Sequence, residues 1–430
     1  EGPVKNITKG TTYATIQAAI DAASDGDTIE VSPGTYDETL NIEDRSNLTI
    51  SGVDLETTII KSSTTLGINV GGYGTDRKTV LRTVNSTGIN ITGLTFDLDL
   101  VKGNNIFAAL YWDSTGMLDG NVFKNNQVPE ASGGYYEIGV YVRAPSYSDA
   151  TRAEITISDN DFENMGRVSL VTHDYVDATI TGNYFYKTED DFGYGIELGS
   201  ASTGTISDNV FYGFDTAAAS DGSNSAAIYV ENCFTGAVID PLMKDVTISN
   251  NEIYDSQWGV YIGNEFLGYA GNVDVLLSLT GNNIHDNIDG GVVITDEGKD
   301  TGSSVSVTGN GNILKDNGDY GYLIFTRGNG SVTTSLVNET ITRQLTAIQV
   351  EDTEDPSSSI YSVDIEYSNI SGNTEHEVVN SVTGLTVNAT HNWWGSISGP
   401  AEDQIIGDAD YIPWCGDAEC SFLVVGGSVN

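Results

Sequence analysis

Ile157-Ser158-Asp159-Asn160-Asp161-Phe162, Ile180-Thr181-Gly182-Asn183-Tyr184-Phe185 and Ile206-Ser207-Asp208-Asn209-Val210-Phe211 are three copies of one phrase. Each runs apolar, Ser or Thr, a turn residue, Asn, a variable residue, then an aromatic. The phrase returns as Ile248-Ser249-Asn250-Asn251-Glu252-Ile253 and Leu279-Thr280-Gly281-Asn282-Asn283-Ile284, and with one extra residue around Val307-Thr308-Gly309-Asn310. Weaker echoes stand at Ile91-Thr92-Gly93-Leu94-Thr95-Phe96, around Asn121 and Asn338, and near Ile365 to Ile370. Successive copies lie about 23 to 31 residues apart, and a period of that size marks a solenoid of stacked coils.

A second phrase follows each copy and opens with a small residue: Gly139-Val140-Tyr141-Val142, Tyr194-Gly195-Ile196-Glu197-Leu198, Ala227-Ile228-Tyr229-Val230, Gly259-Val260-Tyr261-Ile262 and Gly291-Val292-Val293-Ile294. Alternation of period two turns one face inward. Two or three such strands per coil, bent at Gly and Asn, form a prism whose coils stack about 4.8 Å apart. The architecture expected is all-β, a single-stranded right-handed parallel β-helix with a short capping helix before it and a closing segment after it. The Asn at a fixed place in the phrase fits an inward ladder, in which each amide bonds its equivalents and tolerates a left-handed turn.

Composition agrees. Gly numbers 49 among 430 residues, whereas Pro numbers 8 and Met 3, as short strands and tight turns require. The formal net charge of −43, with only 18 Lys and Arg, repels phosphate backbones and argues against a nucleic-acid partner. No apolar run reaches the roughly 18 residues of a membrane span. A start at Glu1 without Met suggests an exported chain with its signal peptide removed, working outside the cell or on its surface. Cys415 and Cys420 are close enough in sequence for a local disulfide, while Cys233 is either a buried small apolar residue or a bridge to another subunit.

The expected division is a cap and first strand over 1–40, coils over 41–390 and a closing segment over 391–430. Thr15 caps a predicted helix whose Ile16, Ala19, Ile20 and Ala23 share a face and which ends at Gly26. Asp27-Thr28-Ile29-Glu30-Val31 is the predicted first strand, turned by Pro33-Gly34. Tyr13-Ala14-Thr15-Ile16-Gln17-Ala18-Ala19-Ile20-Asp21-Ala22-Ala23, with Asp27-Thr28-Ile29 and Pro33-Gly34-Thr35-Tyr36, resembles the opening cap of the pectate-lyase-like right-handed β-helix superfamily. Asn392-Trp393-Trp394-Gly395, Gly399-Pro400 and Tyr411-Ile412-Pro413-Trp414 resemble the closing segment of β-helix surface proteins abundant in archaea, particularly methanogens. Trp393 and Trp394 are expected to cap the solenoid; stacking on a sugar ring is the alternative.

That superfamily includes lyases, polygalacturonases, epimerases, phage tailspikes and plain surface proteins, so the resemblance leaves the activity open. Aligned second phrases place Arg143, His173, Glu231, Asn264, Asp296, Arg327 and Asp352 on one ledge. Should the chain be an enzyme, His173, Asp190, Asp191 and Arg327 are the candidate catalytic residues, with Asp174 and Glu189 beside them. No cofactor is required by these patterns. Ca²⁺, which takes six to eight oxygens, would find Asp296, Glu297 and Asp300, or Glu351, Asp352, Glu354 and Asp355. Asn-x-Ser/Thr sequons at Asn6, Asn47, Asn85, Asn329, Asn338 and Asn388 are candidate glycosylation sites; those at Asn90 and Asn369 lie in or beside repeat strands.

Two functions follow as expectations. One is a structural component of a cell envelope, a surface layer, sheath or fibre whose partners are copies of itself. The other is a polysaccharide lyase, glycoside hydrolase or epimerase acting on an extracellular glycan. The acidic charge, which repels polyuronates unless Ca²⁺ intervenes, favours the first.

Overall fold

The structure, a computed structural model, describes residues 2–70, 77–103, 105–127, 137–188, 192–215, 223–231, 243–263, 274–296, 304–326, 330–352 and 360–425. Two compact units are present, one of Glu1–Leu198 and Ser202–Gly213, the other of Gly199–Ala201 and Phe214–Asn430. Each is a parallel β-helix, as the repeats predict.

In the first unit the typical coil gives one strand to each of three parallel sheets. A representative coil runs Ala153–Ser158, Asp161–Glu163 and Val168–Asp174, and the next runs Val176–Thr181, Tyr184–Tyr186 and Tyr194–Leu198. Like pairs with like: Ile157 faces Ile180, Phe162 faces Phe185 and Leu170 faces Ile196. The aromatic that ends each phrase therefore forms a column, Phe96–Phe123–Phe162–Phe185–Phe211, with centroids 5.2, 5.2, 4.5 and 4.8 Å apart. All five are buried, and each stacked pair adds about 0.5–1.5 kcal/mol to what burial alone supplies.

The Asn column is a ladder. Asn160 N and Nδ2 both donate to Asn183 Oδ1 at 2.9 Å, and Asn183 repeats this with Asn209. The left-handed backbone, however, falls on the residue before each ladder Asn, at Asp159, Gly182 and Asp208. That residue makes the bend, and its sharp turn leaves the Asn extended enough to point inward.

The second unit repeats the plan with Met243–Ser249, Glu252–Tyr254 and Trp258–Ile262 as one coil. Its ladder runs Asn251, Asn282, Asn312 and then Glu339. A second ladder, which the phrase did not reveal, runs Asn287, Asn317, Gln344 and Asn373. The small residue that opens the second phrase also has its reason here. A Cβ on Gly291 or Gly321 would come 2.9 Å from Leu314 Cδ2 or 2.6 Å from Ile341 Cγ2, inside the core.

At the amino end the helix spans Ile16–Ala22, with Ala18 N donating to Thr15 Oγ1 at 3.1 Å and Ile16, Ala19 and Ile20 buried. It ends at Ala23, not Gly26, and the Glu38 carboxylate accepts from Ile16 N and Gln17 N at 3.0 Å. Two short antiparallel strands, Val4–Asn6 and Thr11–Tyr13, precede the predicted first strand, which forms over Thr28–Val31. Gly34 opens a strand, Gly34–Tyr36, where a turn was expected. At the carboxyl end Cys415 and Cys420 form a disulfide, and Trp394 and Trp414 are buried against the closing turns.

Candidate functional site

The third sheet of the first unit carries its polar side chains in a small area. Register aligns Trp112 with Arg143 and Arg143 with His173, so these three share one outward column. The adjacent column, two residues back, aligns Tyr141 with Val171 and Val171 with Glu197. His173 thus lies diagonally between Tyr141, one coil before it, and Glu197, one coil after it. Side chains of this length bridge such diagonals.

They do so here. His173 Nδ1 is 3.1 Å from Tyr141 Oη and His173 Nε2 is 2.8 Å from Glu197 Oε1. A carboxylate beside Nε2 calls for the ring proton there, which leaves Nδ1 as the acceptor for the Tyr141 hydroxyl. The imidazole is fixed in one tautomer and one plane, with the Tyr141 ring edge-on at 5.4 Å. Phe107 holds Tyr141 from the other side, edge-on at 5.5 Å.

Beside this relay, Arg143 Nε donates to Asp174 Oδ2, and its guanidinium carbon lies 5.4 Å above the Trp112 ring. Asp174 sits at φ +63°, and this left-handed turn breaks the strand alternation that would send residues 173 and 174 to opposite faces. The side chains of Arg143, His173 and Glu197 are between 17 and 20 % exposed, and that of Asp174 is 7 % exposed. A ligand can reach the first three, while Asp174 is screened by its partner.

Chemically, the Tyr–His–carboxylate chain is an acid–base device. A proton taken up at the Tyr141 oxygen is matched by loss of the hydroxyl proton to Nδ1, and the imidazolium so formed faces Glu197. Corresponding positions of the second phrase in the second unit hold Tyr229, Tyr261, Val293, Leu323 and Gln349 in one column and Thr295, Phe325 and Glu351 in the other.

Of the ledge residues that lie in the first unit, Arg143 and His173 are brought together. Glu231 follows strand Ala226–Val230 in the second unit and Asp296 ends Gly290–Asp296, fully buried. Asp190, Asp191 and Arg327, with Glu189, Asn264 and Cys233, lie outside the described residues. So do Glu297, Asp300, Glu354, Asp355 and Asn329, and of the expected calcium ligands Asp296, Glu351 and Asp352 remain. Asn6 is buried and its Nδ2 donates to Asp27 Oδ2 at 2.8 Å, which leaves no room for a glycan. Asn47, Asn85 and Asn338 are exposed, Asn388 is half-buried, and Asn90 and Asn369 are half-buried in strands. Sequence reasoning missed Trp112, Tyr141 and Glu197. The signal for Tyr141 was present, since it stands two residues before Arg143 and must share its face, whereas Glu197 enters only through its register with Val171.

No curated protein matches the chain in sequence. Among solved structures, the periplasmic alginate epimerase AlgG is similar at 13 % identity over 89 % of this chain and 83 % of that one, with a TM-score of 0.50. A double mutant of the same epimerase gives 14 % identity, 94 % and 84 % coverage and a TM-score of 0.53. An exopolygalacturonase from Thermotoga maritima is similar at 11 % identity over 84 % of this chain and 81 % of that one, with a TM-score of 0.45. At 13 and 14 % identity the epimerase and its double mutant show a shared fold. The family model described as the right-handed beta helix region matches residues 111–341, more than half of the chain. With three parallel sheets, in-register columns and that match, this chain belongs to the right-handed β-helix family.

Proposed function

We propose that the chain is a carbohydrate-active protein of the cell exterior, binding and processing a glycan where Tyr141, Arg143, His173, Asp174 and Glu197 converge. The observation that carries this reading is the relay from Tyr141 Oη through both nitrogens of His173 to Glu197, at 3.1 and 2.8 Å. Packing alone does not call for a chain of this kind at a partly exposed surface, and a general acid–base step does. The fold shared with the periplasmic alginate epimerase supports the class of chemistry and an exported location. Among the described residues no helix is long and apolar enough to cross a membrane.

The test is a screen of uronate and neutral polysaccharides, with and without Ca²⁺, scored for new reducing ends, unsaturated ends and altered sugar composition. Turnover is expected, and His173→Ala and Tyr141→Phe are each expected to lower it about 100-fold or more with the fold intact. Turnover that survives both substitutions removes the relay from the mechanism.

A second reading, the self-associating envelope component, is favoured by one observation. The closing segment leaves Ile397, Ile406, Ile412, Phe422, Leu423 and Val425 exposed, and apolar side chains gathered in one short stretch suit contact between copies. Electron microscopy of the purified protein tests it: ordered polymers support it, and isolated particles across Ca²⁺ and salt conditions remove it.

A further inference from the structure

Arg143 is the one cation of the cluster, and its charge is already answered. Asp174 accepts from its Nε, and the Trp112 ring faces its guanidinium at 5.4 Å. Two further cations stand on the third-sheet strands of the first unit among the described residues, Lys78 and Arg82. Arg82 donates to Asn41 at 2.8 Å and to Glu43 at 3.1 Å. Lys78 is six residues up-strand from Val84, the member of its strand that aligns with Trp112, and is therefore about 20 Å from that row. On or next to the same strands at this end stand five carboxylates, Glu43, Asp44, Asp113, Asp174 and Glu197. With Arg82 and Arg143 against them the local balance is 2 − 5 = −3, on a chain of net charge −43.

Resting on the glycan-processing reading above, we infer that the sugar presented to this cluster is uncharged, a neutral hexose or pentose unit and not a free uronate. A uronate carboxylate would meet no unpaired cation among the described residues of this face and would add a negative charge to an existing excess. A neutral ring meets what its hydroxyls need: Glu197 accepts hydrogen bonds, and Tyr141 and His173 exchange protons.

The substrate class also fixes the reaction class. β-Elimination and 5-epimerisation both remove a C–H proton that an adjacent carboxyl group acidifies, and a neutral sugar has no such group. Hydrolysis remains. One group of the site gives a proton to the departing glycosidic oxygen as its bond to the anomeric carbon breaks. Water then bonds that carbon and loses its own proton to a basic group, so one fragment gains H and the other OH.

Paired polymers test this on the full chain: polygalacturonate and alginate, each beside its carboxyl-reduced neutral form, with xylan, glucan and mannan added. Binding and new reducing ends are expected on a neutral polymer, with affinity about tenfold or more above that for any free-acid polymer at low salt. Added salt should narrow the gap by raising affinity for the acids alone. Asp174→Asn leaves Arg143 unneutralised and keeps a residue suited to φ +63°; it should shift preference toward the acid form. A wild-type preference for free polyuronate, or unsaturated ends as the product, overturns the inference and leaves the glycan reading standing. Failure to bind or cleave any polymer removes both.

Discussion

Glu339 stands where its ladder has Asn282 and Asn312 before it. Its Oε1 accepts from Asn312 Nδ2 at 3.0 Å and its Oε2 accepts from the Tyr322 hydroxyl at 2.8 Å. Burial outweighs these donors, and the carboxyl, 1 % exposed, is pushed up from 4.5 to about 7. The unfolded chain therefore releases this proton near pH 4.5 and the folded chain only near pH 7. Stability from the protonated group is complete below the lower value and is lost as pH rises through the interval. The loss is about 1.4 kcal/mol per pH unit, or about 3 kcal/mol in all, and it levels off above the upper value. Glu339→Gln removes the titration and keeps the shape. Gln344 already fills the matching place in the neighbouring ladder, donating to Leu314 O at 2.8 Å and accepting from Asn317 N at 3.1 Å. Urea unfolding of both proteins, followed by tryptophan fluorescence from about pH 4.5 to about pH 8, measures the difference in stability. Other carboxyls, including Glu377, which burial also raises, are common to both and cancel. The variant should lead by about 3 kcal/mol at the alkaline end, with the lead closing toward the acid end. A difference that does not change with pH, or a variant weaker than the parent at about pH 8, refutes the reasoning.

Asn183→Ala should cost about 1–3 kcal/mol in urea unfolding, because Asn160 N, 2.9 Å from Asn183 Oδ1, would be left buried without that acceptor, while Asn160 Nδ2 keeps Leu118 O and Ser158 O; a loss within error would show that water enters the ladder. Gly321→Ala should destabilise by about 1–3 kcal/mol, since the new methyl would come 2.5 Å from Ala347 O and 2.6 Å from Ile341 Cγ2; an unchanged urea midpoint would mean the coil can shift. Partial burial lowers the basicity of His285, but Glu252 and Asp286, 2.7 and 2.6 Å from its two nitrogens, outweigh it and hold its pKa above 6.5. The stability from that pairing is complete below the unfolded value and fades as pH rises through the folded one. Nuclear magnetic resonance titration should show the raised value falling back in Glu252→Gln, and a parent value at or below 6.5 would end the argument.

The columns were legible because a β-helix asks the same question of every coil. Asn160, Asn183 and Asn209 answer identically, as do Phe162, Phe185 and Phe211, so spacing alone locates them. The ladder of Asn287, Asn317, Gln344 and Asn373 was not, because Gln344 breaks its chemistry and its members fall between the two phrases. The relay was harder still: its contacts join residues 32 and 24 apart in sequence and run diagonally, across both coil and column. Aligning strands yields columns, and only the register of neighbouring coils yields diagonals.

A repeat also shows where to look for what is not structural. The inward positions are held to one residue type by the coil above and the coil below, so an inward exception such as Glu339 must be reconciled with both neighbours. The outward positions of the third sheet are not under that constraint. In the second unit they vary freely, as Tyr229, Tyr261, Val293, Leu323 and Gln349 do along one column. In the first unit Tyr141, Arg143, His173 and Glu197 stand at equivalent places, and each is engaged by another polar or aromatic side chain of a different coil. Random surface variation would leave such side chains pointing into water singly. Their mutual engagement at a partly exposed face, where apolar cover would be as stable, is what separates a site from an ornamented surface.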